Sequence, residues 1–271
     1  MSYYTVTIHS WRELTDKIDE LEVYKNSLVW FLRGQSDATW QLRPSLLRII
    51  GDDRPNAQLA LEIEDLALRL FQSQAHLYLK PDLIDRNSWA CIAWWSLMQH
   101  YSCPTRLLDW TRSPYVAAYF AVDQQCDRDG AIWLFAAPAL ESVMLERYGA
   151  IQYDRPGEFS LATAKCKGVY PVLGFQHTER SAAQQGVFTV ATYILADHGV
   201  VIGGALAGRP QYEGLTKIII PACCKQDILA RLHTMNITAK TLFPGIDGVG
   251  RSVSEIVGLR VWKHFRKEHA L

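Results

Sequence analysis

His100, Tyr101, Arg106, Asp109, Trp110, Thr111 and Arg112 crowd into one short polar interval between two apolar segments. Guanidinium forks grip phosphates and carboxylates through paired hydrogen bonds. An imidazole can act as a base or a hydrogen-bond partner, and aromatic rings offer stacking faces. The interval reads as a turn joining two helices. Pro104 breaks the first helix, since proline lacks an N–H and clashes with the preceding turn. Ser113 followed by Pro114 is an N-cap with proline at the first helical position. Arg106 and Asp109, three apart on this turn, can also simply pair with each other, and His100 can be a satisfied structural residue.

Two further sets of residues carry chemistry. Arg33 ends the apolar run SLVWFLR (27–33), and Gly34 then lets the backbone turn and approach a ligand. The alternative for Arg33 is an ion pair with a carboxylate such as Asp109. Near the other end of the chain Arg180, Gln184, Gln185, Gly186 and Phe188 open a strand. A glutamine side chain cannot serve as a general base, but its carbonyl accepts hydrogen bonds. Glu179 is adjacent, and strand alternation sets it opposite Arg180. The competing reading is an edge strand with solvated polar residues.

The elements that must position these residues follow from periodicity. Residues 3–9 alternate as a strand, and Ser10 with Glu13 forms a capping-box start to a helix over 10–21. Residues 57–79 make the longest helix. Leu59, Ile63, Leu66 and Leu70 recur at helical spacing, with Glu62, Glu64, Asp65 and Arg69 on other faces, and KPDL (80–83) stops it. Residues 87–101 are apolar nearly all round, as in a buried helix, and the helix from Pro114 follows. Strands are expected at 131–137, 169–175, 186–192, 198–204 and 216–222, and helices at 224–236 and 252–267. Helices thus concentrate in the first half and strands in the second. That segregation points to an α+β fold with a mostly antiparallel mixed sheet, and against a doubly wound parallel one. Without a linker, repeat or low-complexity tract, residues 1–271 are expected to form a single domain.

Composition narrows the function. The 271 residues carry 28 basic and 28 acidic side chains, so no net field draws polyanions. A local basic cluster remains around Arg33, Arg43, Arg48, Arg106 and Arg112. No apolar run approaches the roughly 20 residues of a membrane span, and the N-terminus lacks a signal-peptide pattern, so a cytoplasmic protein is expected. Six cysteines include no CxxC pair. There is no P-loop, GxGxxG, HExxH or GxSxG, and the histidines lack ligand spacing, so no metal is expected. The 9 tryptophans and 12 tyrosines suit either a core or the stacking of a base.

The chain resembles the FRG-domain family. Phe31, Arg33 and Gly34 are similar to its aromatic-Arg-Gly signature, followed by Gln35 and the WQLRPSLLR string from Trp40 to Arg48. LMQHYSCPTRLLDWT (97–111) running into SPYVAAYFA, RSAAQQGVF (180–188) and TLFPGIDGVGRSV near the C-terminus extend the likeness over about residues 25–255. Leu32 inside the signature, Ser102 before Pro-Thr-Arg and Gly245-Ile246 are departures.

By fold-level analogy the motif order resembles an ADP-ribosyltransferase-like domain. That resemblance implies NAD as co-substrate, with transfer or hydrolysis of its ADP-ribose and an unidentified protein or nucleic-acid acceptor. In a bacterium such an activity suits a toxin or an antiphage effector. It implies catalytic roles for Arg33, His100 and Gln184. Gly34, Tyr101, Arg106, Asp109, Thr111, Tyr115 and Arg180 would bind the nucleotide. Arg33 and Arg106 would hold phosphates, His100 or Gln184 would orient the nicotinamide ribose, and Tyr101, Trp110 or Tyr115 would stack on nicotinamide. The alternatives are a non-catalytic nucleotide or nucleic-acid binding module, or a protein-interaction domain.

Overall fold

The apolar run through Arg33 becomes a strand inside a seven-stranded sheet. The computed structural model describes residues 2–23, 29–51, 56–78, 91–151, 168–173 and 178–268. Within them the order is β1 (Tyr4–Thr7), α1 (Trp11–Val23), β2 (Trp30–Gln35), α2 (Ser45–Ile50), α3 (Ala57–Ala75), α4 (Cys91–His100), β3 (Leu107–Thr111), α5 (Pro114–Val122) and β4 (Gly130–Ala136). Then come α6 (Ala137–Tyr148), β5 (Val169–Val172), α7 (Glu179–Ala183), β6 (Gly186–Ala191), α8 (His198–Ala205), β7 (Thr216–Ile220), α9 (Ala222–Thr234), α10 (Ala239–Leu242) and α11 (Ile246–Glu268). The KPDL stop, residues 87–90 of the second predicted helix, and Gly174 and Phe175 of a predicted strand lie outside the described residues.

The strands run β1-β7-β4-β2-β3-β6-β5 across the sheet. Only β1 with β7 is parallel; the other neighbours are antiparallel. This is an α+β fold with a mixed sheet. Helices and strands interleave along the whole chain, however, so the expected segregation by halves is corrected: β1 to β4 all precede Ala137. The interval between α4 and α5 is not a bare turn, because it contains β3. Strand β4 is buried along its whole length, whereas β3 is five residues long and buried except at Asp109, so it shows no period-2 alternation to announce a strand.

Local chemistry explains most boundaries. The Glu13 carboxylate accepts from the His9 N–H at 3.0 Å, and Ser10 Oγ accepts from the Glu13 N–H at 3.2 Å. Ser113 caps α5 by accepting from the Val116 N–H, with Pro114 opening the helix. Residues 198–204 form a helix, not the expected strand, because the Asp197 side chain accepts from the Val200 N–H and starts a turn. Glu179 and Arg180 lie on the short helix α7, so strand alternation does not apply to them.

Two corrections bear on the site. Gly34 sits within β2 and does not turn the chain; a Cβ there would stand 2.0 Å from the Ala117 carbonyl oxygen. Its absent side chain lets α5 lie directly on the sheet. Helix α3, expected to be the longest, has 19 residues against 23 in α11, and it is also rotated from expectation. Leu59, Leu66 and Leu70 of α3 are about half exposed, while Glu64 is only 5% exposed. The leucine stripe faces outward because the inward position is taken by a carboxylate with a buried partner.

The main core runs continuously from Ile8 to Leu259. Helix α5 covers one face of the sheet and is backed by α9. On the opposite face His198 of α8 meets Thr189 of β6, one register step from Phe188, which faces the α5 side.

Candidate functional site

The sheet opens between its two central strands. Strand β2 pairs with β4 along all six residues, from Trp30↔Ala136 to Gln35↔Ala131. With β3 it shares one registered pair, Leu32↔Thr111, and the strands then part. Arg33 spans the parting: its Nη1 donates to the backbone carbonyl of Asp109 at 2.8 Å and lies 4.0 Å from the Asp109 carboxylate. A side chain thus supplies the hydrogen bond that a ladder would have made. Arg33 Nε is buried and has no hydrogen-bond partner among the described residues.

A cleft of about 250 Å³ occupies the opening. Arg33, Gly34, Asp109, Trp110 and Thr111 come from the two strands, Ser96, Gln99 and His100 from α4, and Phe120 from α5. Arg180, Ser181, Gln184, Gly186 and Phe188 form the remaining wall. Thr111 holds the walls together. Its hydroxyl donates to the Gln184 backbone carbonyl at 2.7 Å and accepts from the Ser113 N–H at 3.0 Å. The Thr178 hydroxyl caps α7 through the Ser181 N–H and contacts His100 Nδ1 at 3.2 Å.

Gln184 is oriented by its surroundings. Its Nε2 donates to the Leu242 carbonyl at 3.0 Å, and since a carbonyl can only accept, the amide nitrogen must face it. The Oε1 atom is then the amide's remaining acceptor. Charge in the cleft favours anions. Arg33 and Arg180 stand against Asp109, the single carboxylate among the lining residues. Desolvation lowers the pKa of each guanidinium, Asp109 opposes that shift in both, and Arg48 and Arg251 add repulsion at Arg33 and Arg180 respectively. Both remain cationic, as arginine does in proteins. Desolvation first, and Arg180 second, pull the His100 pKa below its ordinary value, so its imidazole is neutral at pH 7.

The structure therefore brings Arg33, Gly34, His100, Asp109, Thr111, Arg180 and Gln184 together with Trp110. It sends three expected ligand residues elsewhere. Arg106 is 1% exposed; its Nε donates to Glu64 Oε1 at 2.7 Å and its Nη2 to Glu64 Oε2. Its guanidinium lies 4.8 Å from the Trp95 ring centroid, inside the core and away from any phosphate. Nor does it pair with Asp109, because Arg106 immediately precedes β3 and Asp109 lies on it, where residues three apart face opposite sides. Tyr101 is exposed on the turn after α4, edge-on to His100. Tyr115 stacks on Trp11 at 6.2 Å, joining α5 to α1. Neither lines the cleft. Phe120 and Phe188 supply apolar walls in their place; Phe120 sits in an all-apolar helix that gives no sequence signal of a site.

No group of three or more metal-ligating side chains occurs among the described residues, and no described helix is long and apolar enough to cross a membrane. The architecture is thus an α+β protein with an anion-favouring cleft in a parted sheet. Comparison with known families matches residues 28–130 to the FRG domain. The matched stretch holds Arg33, His100, Asp109 and Thr111, while Arg180 and Gln184 lie beyond it. No curated protein and no solved structure matches the chain.

Proposed function

We propose that the cleft binds NAD and breaks its nicotinamide–ribose bond, passing ADP-ribose to water or to an acceptor. The observation that carries this reading is the pair of arginines, Arg33 and Arg180, set around Asp109 where β2 and β3 part. Guanidinium groups suit the diphosphate. The Asp109 carboxylate is the group suited to support the positive charge that develops on the ribose as the bond breaks. Gln184 Oε1 is suited to accept from a ribose hydroxyl, and neutral His100 from another. Phe120 and Phe188 offer apolar contact to the base. A cleft of about 250 Å³ falls just below the roughly 300–1,000 Å³ of sites that enclose a drug-sized ligand. It fits the nicotinamide, ribose and adjoining phosphate, leaving the adenosine half at the rim.

Calorimetric titration with ADP-ribose tests the binding half of the reading. Arg33→Ala and Arg180→Ala, each with a wild-type circular dichroism spectrum, are expected to weaken affinity by about tenfold or more. Unchanged affinity in both would refute the assignment. Binding without NAD turnover would leave a nucleotide-binding module, the non-catalytic alternative.

A further inference from the structure

A second cavity, of about 320 Å³, lies near the first: Arg180 of the cleft and Arg251 of this cavity both lie against the Phe243 ring. Helices α5, α9 and α11 and the turn after α5 line it, and none of the cleft residues takes part. Three charged residues line it, Asp123 at the C-terminus of α5 and Arg251 and Glu255 of α11, and the opposite pair Asp123 and Arg251 is the one without a charged partner. They form no ion pair with each other, and among the described residues neither has a salt-bridge partner. Asp123 Oδ1 accepts from the Ser36 hydroxyl at 3.0 Å, but its Oδ2 has only a 3.5 Å contact with the Gln124 amide. The Arg251 guanidinium carbon lies 4.6 Å from the Phe243 ring centroid. Neighbouring charges cannot neutralise them. Lys225 Nζ is committed to the carbonyls of Ser36, Gln124 and Gln125. Glu255 is committed to Tyr119, His233 and the Ala239 N–H.

An unpaired carboxylate and an unpaired guanidinium in one cavity are complementary to a ligand that carries both charges. A phosphate would meet Asp123 and Glu255, and a bare cation would meet Arg251. We infer that this cavity binds a free α-amino acid, its ammonium on Asp123 and its carboxylate on Arg251. The C-terminal end of α5 adds partial negative charge on the ammonium side. Gln124, Gln226 and Ser254 line the same cavity and can bond a polar side chain.

The proposal stands independently of the NAD reading, since it uses other residues. The full-length chain is titrated with each common L-α-amino acid at up to about 10 mM, following melting temperature and ligand-observed NMR. At least one amino acid is expected to bind. Its N-acetyl and carboxamide derivatives, which remove one charge each, should bind about tenfold more weakly or worse. Asp123→Asn and Arg251→Gln should each lose affinity to the same extent, while Arg33→Ala keeps it. Binding should also fade below about pH 6 as Asp123 protonates. Burial and Glu255 push that carboxyl up to about 6, against Ser36 and Lys225, with Tyr119 and Arg251 the other polar groups nearby. Absence of binding by every amino acid at the highest concentration overturns the inference. So does equal binding of the two blocked derivatives, a result that needs no variant.

Discussion

Replacing Arg106 separates a structural role from a ligand-binding one. Arg106 and Glu64 are 1% and 5% exposed and joined by two charge-assisted hydrogen bonds. Removing one partner strands the other charge in the core, which costs about 3–5 kcal/mol, whereas replacing both by apolar groups of similar volume is close to neutral. Arg106→Met and Glu64→Leu should therefore each destabilise by about 3–5 kcal/mol. At roughly 2–4 °C per kcal/mol for a domain of this size, the melting temperature falls by about 6–20 °C. The double variant should recover most of the loss, giving a coupling energy of at least about 2 kcal/mol. Urea unfolding followed by tryptophan fluorescence measures all four proteins. A coupling below about 0.5 kcal/mol would contradict the buried pair. So would an Arg106→Met protein of wild-type stability that has lost ADP-ribose affinity.

Other outcomes follow from the same geometry. Gly34→Ala should cost about 3 kcal/mol or more, or prevent folding, because its Cβ would stand 2.0 Å from the Ala117 carbonyl; soluble expression and melting temperature check it. Tyr101→Ala should leave both stability and ADP-ribose affinity near wild type. Tyr115→Ala should lower the melting temperature, through the lost contact with Trp11, without changing affinity; parallel melting and calorimetry separate the two. Asp123 has a folded pKa of about 6, above the ordinary 3.8. The folded state thus holds this proton more tightly, so its contribution is present below pH 3.8 and lost as pH rises through 6. The loss is about 3 kcal/mol at most. Asp123→Asn should flatten that slope and stabilise the protein at pH 7.5 in urea titrations run across pH.

The sequence was most legible where local chemistry decides. The Ser10–Glu13 start of α1, the Ser113–Pro114 start of α5 and the apolar strands at β4, β6 and β7 are visible in side-chain type alone. So was much of the cleft. Arg33, Asp109, Thr111, Arg180 and Gln184 are widely separated in the chain, yet the family likeness placed them in one expected site and the structure brings them together. What the sequence obscured is long-range. The partner of Arg106 lies 42 residues away, on a helix whose leucine spacing pointed to the wrong face. Gly34 looked like a turn residue because its packing against Ala117 exists only after β2 and α5 meet. Strand β3 was hidden because its five residues show no alternation, with Asp109 alone exposed, and α8 because its apolar residues fit a strand until Asp197 is seen to cap it.

Nicotinamide release from NAD is the most direct test of the proposed activity. The purified chain is incubated with NAD, alone and with a nucleic-acid and protein extract, beside Arg33→Ala and Asp109→Asn proteins of matched melting temperature. The account predicts release by the wild-type chain under at least one condition and loss of release in both variants. No release under either condition, or release that persists undiminished without Arg33 and without the Asp109 carboxylate, would contradict it.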